Sequence, residues 1–253
     1  MRLIIAFLFI TSFSWAQKSY HKAYFKNGNM ESEGWQENDT KVDYWKFYYE
    51  NSTLLSEGNY KSGKKDGHWK YYHKNGTLQK KGLYNSGTLI EYWKYYNDNG
   101  KMNKEGRFKK GKKDGYWLSY YNTGTIKQKG SFKEGFKLDY WYSYHKNGAL
   151  KSEGRYNQSK KQQYWFHYYE NGKIEKQGAY LNNKKEEWWI HNNVAGEVIE
   201  KCKYKNNLKN GFCLQFKDEK VFKAIKYENG KLIKSWTDMK TFRKENKLSD
   251  LRQ

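Results

Sequence analysis

Residues 63–84 read GKKDGHWKYYHKNGTLQKKGLY, and this stretch decides the fold. Trp69 lies between two turn signals, Gly63-Lys64-Lys65 before it and Asn75-Gly76 after it. Asn-Gly between aromatic runs is a strong hairpin signal, because a type I′ turn takes φ > 0 at both central residues. The segments between turns are about seven residues long and rich in Tyr, Trp and Phe, which is strand length and strand composition. A glycine inside each unit and a shortage of helix formers exclude a helical repeat. The chain holds no proline, as suits a continuous ladder of backbone hydrogen bonds.

The stretch recurs. Trp45, Trp69, Trp93, Trp117, Trp141, Trp165 and Trp189 stand 24 residues apart. Gly34, Gly58, Gly82, Gly106, Gly130, Gly154 and Gly178 keep the same step, as do Tyr60, Tyr84, Phe108, Phe132, Tyr156, Tyr180 and Tyr204. A fixed period of this length marks a repeat array whose units contact only their neighbours. The sequence therefore predicts an all-β, single-layer antiparallel β-meander or solenoid of about eight 24-residue β-hairpin repeats, closed by a short C-terminal capping helix. The expected divisions are a signal peptide over 1–17, the array over 18–235 and the cap over 236–253. In the cap, Trp236, Met239 and Phe242 recur at helical spacing.

Register follows from the turns. A two-residue turn at Asn75-Gly76 sets Trp69 opposite Gly82, and a turn centred between Gly63 and Lys64 sets it opposite Gly58. Each tryptophan is thus expected between two glycines, its ring lying over them. Alternation along the strand puts Trp69, Tyr71, Tyr60 and Leu54 on one apolar face. The other face carries the stripe Tyr48, Tyr72, Tyr96, Tyr120, Tyr144 and Tyr168. Cys202 falls at the glycine position and Cys213 at the tryptophan position, so the two are expected to be opposed and able to form a disulfide.

The NGxL, GxY, GKKDG and WKYY blocks, at residues 75–78, 82–84, 111–115 and 69–72, resemble the bacterial variant of the MORN repeat. The resemblance covers nearly all of the chain after its first residues. Proteins of this kind are often labelled YwqK-type antitoxins. What it implies is a β-hairpin array for protein or membrane-surface contact, without catalysis.

Composition narrows the function. Only 36% of residues are hydrophobic and the mean hydropathy is −1.22, yet 19% are aromatic. Disordered chains lack aromatics, so the chain folds, with Tyr and Trp doing most of the covering. At the start, Arg2, the apolar run over 3–13 and Ser14-Trp15-Ala16 form the pattern of a signal peptide cleaved near Ala16 or Gln17. The expected location is periplasmic or secreted. The net charge of +22 favours anionic partners, and export moves nucleic acid down that list. No zinc-ligand cluster, nucleophile elbow or phosphate loop is legible. No catalytic, cofactor or metal residue is expected, and the scattered histidines read as structural. Two surfaces remain as candidates. The tyrosine stripe suits a protein partner. The turn lysines Lys64, Lys65, Lys112, Lys113, Lys160, Lys161, Lys184 and Lys185 would line one edge able to bind anionic lipid or glycan.

Overall fold

Glycine–tryptophan pairing organises each hairpin of the computed structural model, which describes residues 17–247. The leader expected over 1–17 therefore lies, but for Gln17, outside the described residues, as do residues 248–253 of the cap. All the strands belong to one antiparallel meander. The described residues form two compact units, one running to residue 77 and including 84–88, the other comprising 78–83 and the residues from 89 on.

The first unit holds β1 (Lys18–Tyr24), β2 (Met30–Glu37), β3 (Thr40–Tyr48), β4 (Leu54–Lys61) and β5 (Lys64–Tyr72). The residues of β6 (Leu78–Asn85) are divided between the units. The second unit continues with β7 (Thr88–Tyr96), β8 (Met102–Lys109), β9 (Lys112–Tyr120), β10 (Ile126–Lys133), β11 (Phe136–Tyr144), β12 (Leu150–Asn157) and β13 (Lys160–Tyr168). Then come β14 (Ile174–Leu181), β15 (Lys184–Asn192), β16 (Val198–Lys205), β17 (Leu208–Lys217), β18 (Lys220–Glu228), β19 (Lys231–Trp236) and the helix α1 (Met239–Glu245). Trp236 ends the last strand rather than belonging to the helix. With Phe212, Ala224 and Phe242 it forms a small buried core under α1.

The turns differ from expectation in kind. The type I′ geometry lies at Ser62-Gly63, where φ is 47° and 72°, and at Lys110-Gly111, where φ is 50° and 76°. At the Asn-Gly loops after Asn75, Asn99, Asn147 and Asn171 only the glycine is left-handed, as with Gly100 at 79°. There Gly100 N–H donates to Asn97 O (3.0 Å) and Asn97 N–H to Lys101 O (2.8 Å). The Asn99 carboxamide accepts the Lys101 N–H at 3.0 Å. The loop is thus a longer turn closed by an αL glycine, with asparagine bracing its own backbone.

The expected register nevertheless holds. In β4–β5 the tight turn sits one residue earlier than expected, giving Asn59↔Asp66. Between Asn59 and Gly58 a bulge skips two residues of β5, which restores Gly58↔Trp69. The bulge places Gly67 at φ 71°. At the other end Tyr48↔Leu54 centres the loop on one residue, and a one-residue shift then gives Phe47↔Ser56 and Trp45↔Gly58. Both turns are thus offset from the expected centres, and the bulges beside them cancel the two offsets.

The bulge also seats the indole. A β-bulge leaves a backbone group out of the ladder, and here the carbonyl after each glycine accepts the tryptophan N–H. Trp117 Nε1 donates to Arg107 O at 3.0 Å, and Trp69 Nε1 to Asn59 O at 2.9 Å. Each ring lies on the glycine of the preceding strand: a Cβ added at Gly106 would stand 2.3 Å from the Trp117 ring, and one at Gly58 2.5 Å from Trp69. The aromatic residues beside the glycines fill the gaps edge-on. Trp117 meets Phe108 at 5.1 Å and Phe132 at 6.1 Å, and Trp141 meets Phe132 at 5.0 Å. Such pairs each add about 0.5–1.5 kcal/mol beyond their burial.

Candidate binding surfaces

The sheet offers two chemically different faces. On the tryptophan face, one lysine following each of these turns lies on an indole rather than at the edge. Lys113 Nζ is 4.3 Å from the Trp117 ring centroid, Lys137 3.9 Å from Trp141, Lys161 4.2 Å from Trp165 and Lys185 4.4 Å from Trp189. In the first unit Lys65 sits 4.3 Å over Trp69. This corrects the expected single edge. Strand alternation splits each pair, leaving Lys64, Lys112, Lys160 and Lys184 exposed beside the turns and drawing Lys65, Lys113, Lys161 and Lys185 inward. Burial is the main cause lowering the pKa of Lys113, Lys137, Lys161 and Lys185, and neighbouring lysines add to it. Each inner lysine also anchors the next turn: Gly135 N–H donates to Lys113 O (2.9 Å) and Asn183 N–H to Lys161 O (3.1 Å).

His167 shares this face, packed between Trp165 and Trp189. Its Nε2 is buried without a hydrogen-bond partner. Burial first, then Lys161 and Lys176, push its pKa down to about 4, against a smaller opposing effect of Glu175. A pKa depressed on folding means that the unfolded chain binds the proton first. The stability held above about pH 6.5, the free histidine value, is therefore lost progressively as pH falls towards 4. His167→Gln is expected to flatten the stability profile across that window. NMR of the imidazole should show it neutral at pH 6, and titration at the free value would refute this.

The second face carries the predicted stripe, but its hydroxyls are engaged. Tyr72 donates to Glu57 at 2.6 Å, Tyr48 to Glu33 at 2.7 Å, Tyr120 to Glu105 at 2.6 Å and Tyr168 to Glu153 at 2.7 Å. Burial, then the facing carboxylate, raises the pKa of each of these tyrosines. Tyr96 and Tyr144 are half-buried as well. The open row is a different one, immediately before each tryptophan. In the second unit Tyr92, Tyr116, Tyr140 and Tyr164 are 47%, 49%, 51% and 43% exposed. Tyr44 holds the same place in the first unit, where burial and Glu57 push its pKa up to about 12. The recurring Tyr-Trp dipeptide carried this signal in the sequence, but the stripe four residues on was read instead. Arg155 lies 5.4 Å over the Tyr140 ring.

At the C-terminal end this face is already covered. Phe212, two repeats after Tyr164, packs against Phe242 of α1 at 5.7 Å, and Trp188 and Met239 join the same cluster. On the tryptophan face the array ends differently. Cys202 and Cys213 are directly opposed and joined by a disulfide, with Cα atoms 4.0 Å apart. Ile225 packs beside them. Among the described residues no helix is long and apolar enough to cross a membrane.

Comparison with known proteins bears on the repeat. No curated protein matches the chain. Among solved structures it is similar to chains in a crystal structure of TcdB2-TccC3-Cdc42 (9% identity, TM-score 0.21) and in one of TcdB2-TccC3-TEV (11%, 0.22). A third is the Photorhabdus luminescens Tc holotoxin pore, again at 11% and 0.22. These alignments cover 82%, 84% and 82% of this chain but span only 12%, 13% and 12% of the others. Residues 44–62, 65–86, 113–134 and 164–182 match the MORN repeat variant. The chain thus carries MORN repeats of the variant type, four matched stretches that support its placement in a MORN-repeat family.

Proposed function

We propose that the chain is an exported, non-catalytic repeat scaffold that binds a protein partner along the exposed tyrosines of β7, β9, β11 and β13. One observation carries this reading. The chain's own helix α1 covers the same face at Phe212, the repeat position of Tyr164, using the apolar side chains of Met239 and Phe242. The partner segment that fits the open row is accordingly an amphipathic helix. Export rests on Arg2, the apolar run over 3–13 and Ser14-Trp15-Ala16. The repeat type and the all-β fold support the non-catalytic reading. A YwqK-type antitoxin role would use the same row to hold a toxin. A second reading keeps the exposed turn lysines Lys112, Lys160 and Lys184 as contacts for anionic envelope lipid.

The test replaces Tyr92, Tyr116, Tyr140 and Tyr164 by serine together. Exposed substitutions of this kind cost little stability, within about 0.5 kcal/mol each. The mature chain used as bait in envelope extract should retain a partner at high salt, and the four-serine variant should lose it. If both chains capture the same proteins, the tyrosine row is not the contact. If capture vanishes with salt and with charge reversal at Lys112, Lys160 and Lys184, the lipid reading replaces it.

A further inference from the structure

On the tryptophan face of the second unit, Lys104, Lys113 and Lys137 form a group of amines whose surrounding slots hold no carboxylate. Between β8 and β11 a slot of about 190 Å³ is lined by Lys104, Lys113 and Lys137 together with Ser119 and Gln128, over Trp117 and Trp141. The adjoining slot continues past Lys137 to Ser143 and Ser152. Neither slot is lined by an Asp or Glu. Lys104 opposes the charge of Lys113, and Lys137 is opposed by both Lys113 and Lys161. Crowded, half-buried like charges destabilise one another, and a bound anion relieves them. Lys137 Nζ donates to Gln128 Oε1 at 3.2 Å, so the amide is oriented by the lysine with its oxygen as the acceptor.

We infer that this carboxylate-free lysine row is a binding site for a linear acidic polysaccharide with well-spaced charges. The spacing selects the ligand class. From β9 on, one inner lysine arrives per hairpin, so Lys113, Lys137 and Lys161 follow one another at two strand spacings, roughly 9–10 Å. That is close to the length of one disaccharide, and suits a glycan with one carboxylate or sulfate per two sugars. Duplex DNA carries a charge about every 1.7 Å along its axis. Single strands are held by bases stacking on open aromatic rings, whereas these indoles are buried beneath lysines. An extended acidic peptide presents same-face side chains about every 6.6 Å, out of step with the row. Ser119, Gln128, Ser143 and Ser152 are the hydroxyl and amide partners that sugar hydroxyls require. The site lies on the face opposite the tyrosine row, so the protein-binding reading and this one stand or fall separately.

Titration of the mature chain with a hyaluronan hexasaccharide, which carries one carboxylate per disaccharide, followed by tryptophan fluorescence, tests it. Chitohexaose, oligo-dT and sodium sulfate serve as competing probes. The charged hexasaccharide should bind and the uncharged one should not. Lys113→Met and Lys137→Met keep the aliphatic stem over the indole and should each weaken binding roughly tenfold while the melting temperature holds. Lys137→Arg should retain binding, and Lys112→Gln and Lys160→Gln at the turn edge should leave it unchanged. No binding at low salt overturns the proposal. So does tighter binding of oligo-dT, or loss caused by the edge variants instead of the inner ones. Sulfate binding as tightly as the hexasaccharide would reduce the site to a simple anion pocket and overturn the glycan assignment.

Discussion

Trp117→Ala is expected to cost about 3–5 kcal/mol, the range for truncating a large buried aromatic. The ring is 3% exposed, and its loss strips contacts from Phe108 and Phe132 and leaves the Arg107 carbonyl without its indole donor. The complementary change, Gly106→Val, puts a Cβ 2.3 Å from the Trp117 ring, well within contact distance. Overpacking of this sort costs about 1–3 kcal/mol, more where the neighbour cannot move, and an indole fixed by its N–H bond moves badly. Hydrogen exchange should show β8, β9 and β10 opening in both variants. Protection in β15 and β16 should persist, because a repeat array is stabilised by nearest-neighbour interfaces. Unchanged exchange in β8–β10 for both variants would mean that the ring does not rest on that glycine.

Removing the disulfide should be the next largest effect. Cys202 and Cys213 close a loop with a sequence separation of 11, worth roughly 2–3 kcal/mol in the chain-entropy account. Denaturant melts with and without reductant should separate by that amount, and Cys202→Ala with Cys213→Ala should match the reduced chain. Because the two positions are those of glycine and tryptophan, Cys202→Gly with Cys213→Trp should recover much of the loss by rebuilding the repeat contact. The left-handed Gly211, with φ 106°, already provides the bulge that such a ring needs. Two reactive thiols on unreduced, denatured protein would remove the basis of this prediction.

What the sequence disclosed was periodicity. The Gly–Trp register, the two faces and the Cys202–Cys213 opposition all followed from a strict 24-residue step. What it hid was the local backbone. Asn75-Gly76 read as a two-residue turn, because turn preference says which residues accept φ > 0 but not how many of them will. The bulge beside each tryptophan has no fixed residue type. Gly67, Glu91, Asp139 and Gln163 all take a positive φ there, so no composition signal marks it. Alternation sends Lys113 to the tryptophan face while Lys112 stays at the edge, a split that their shared place beside the turn conceals. The tyrosine row was missed for another reason. Tyr116 and Tyr120 share a face by alternation, and contacts such as that of Tyr120 with Glu105 on the neighbouring strand, which half-bury one and leave the other open, are not written in that pattern.

From Trp45 to Trp189, the seat of each repeat tryptophan lies upstream of the ring it receives. Trp117 uses Gly106 and the Arg107 carbonyl, Trp141 uses Gly130 and the Ser131 carbonyl, and the turn at Gly135 binds back to Lys113. The array therefore has a direction. A chain emerging N-terminus first, from a ribosome or through a translocation channel, always presents the next indole to a site already outside. It can lock one hairpin at a time without waiting for its far end. For a sheet this is an unusual freedom, since non-local strand pairing ordinarily makes β proteins slow to fold.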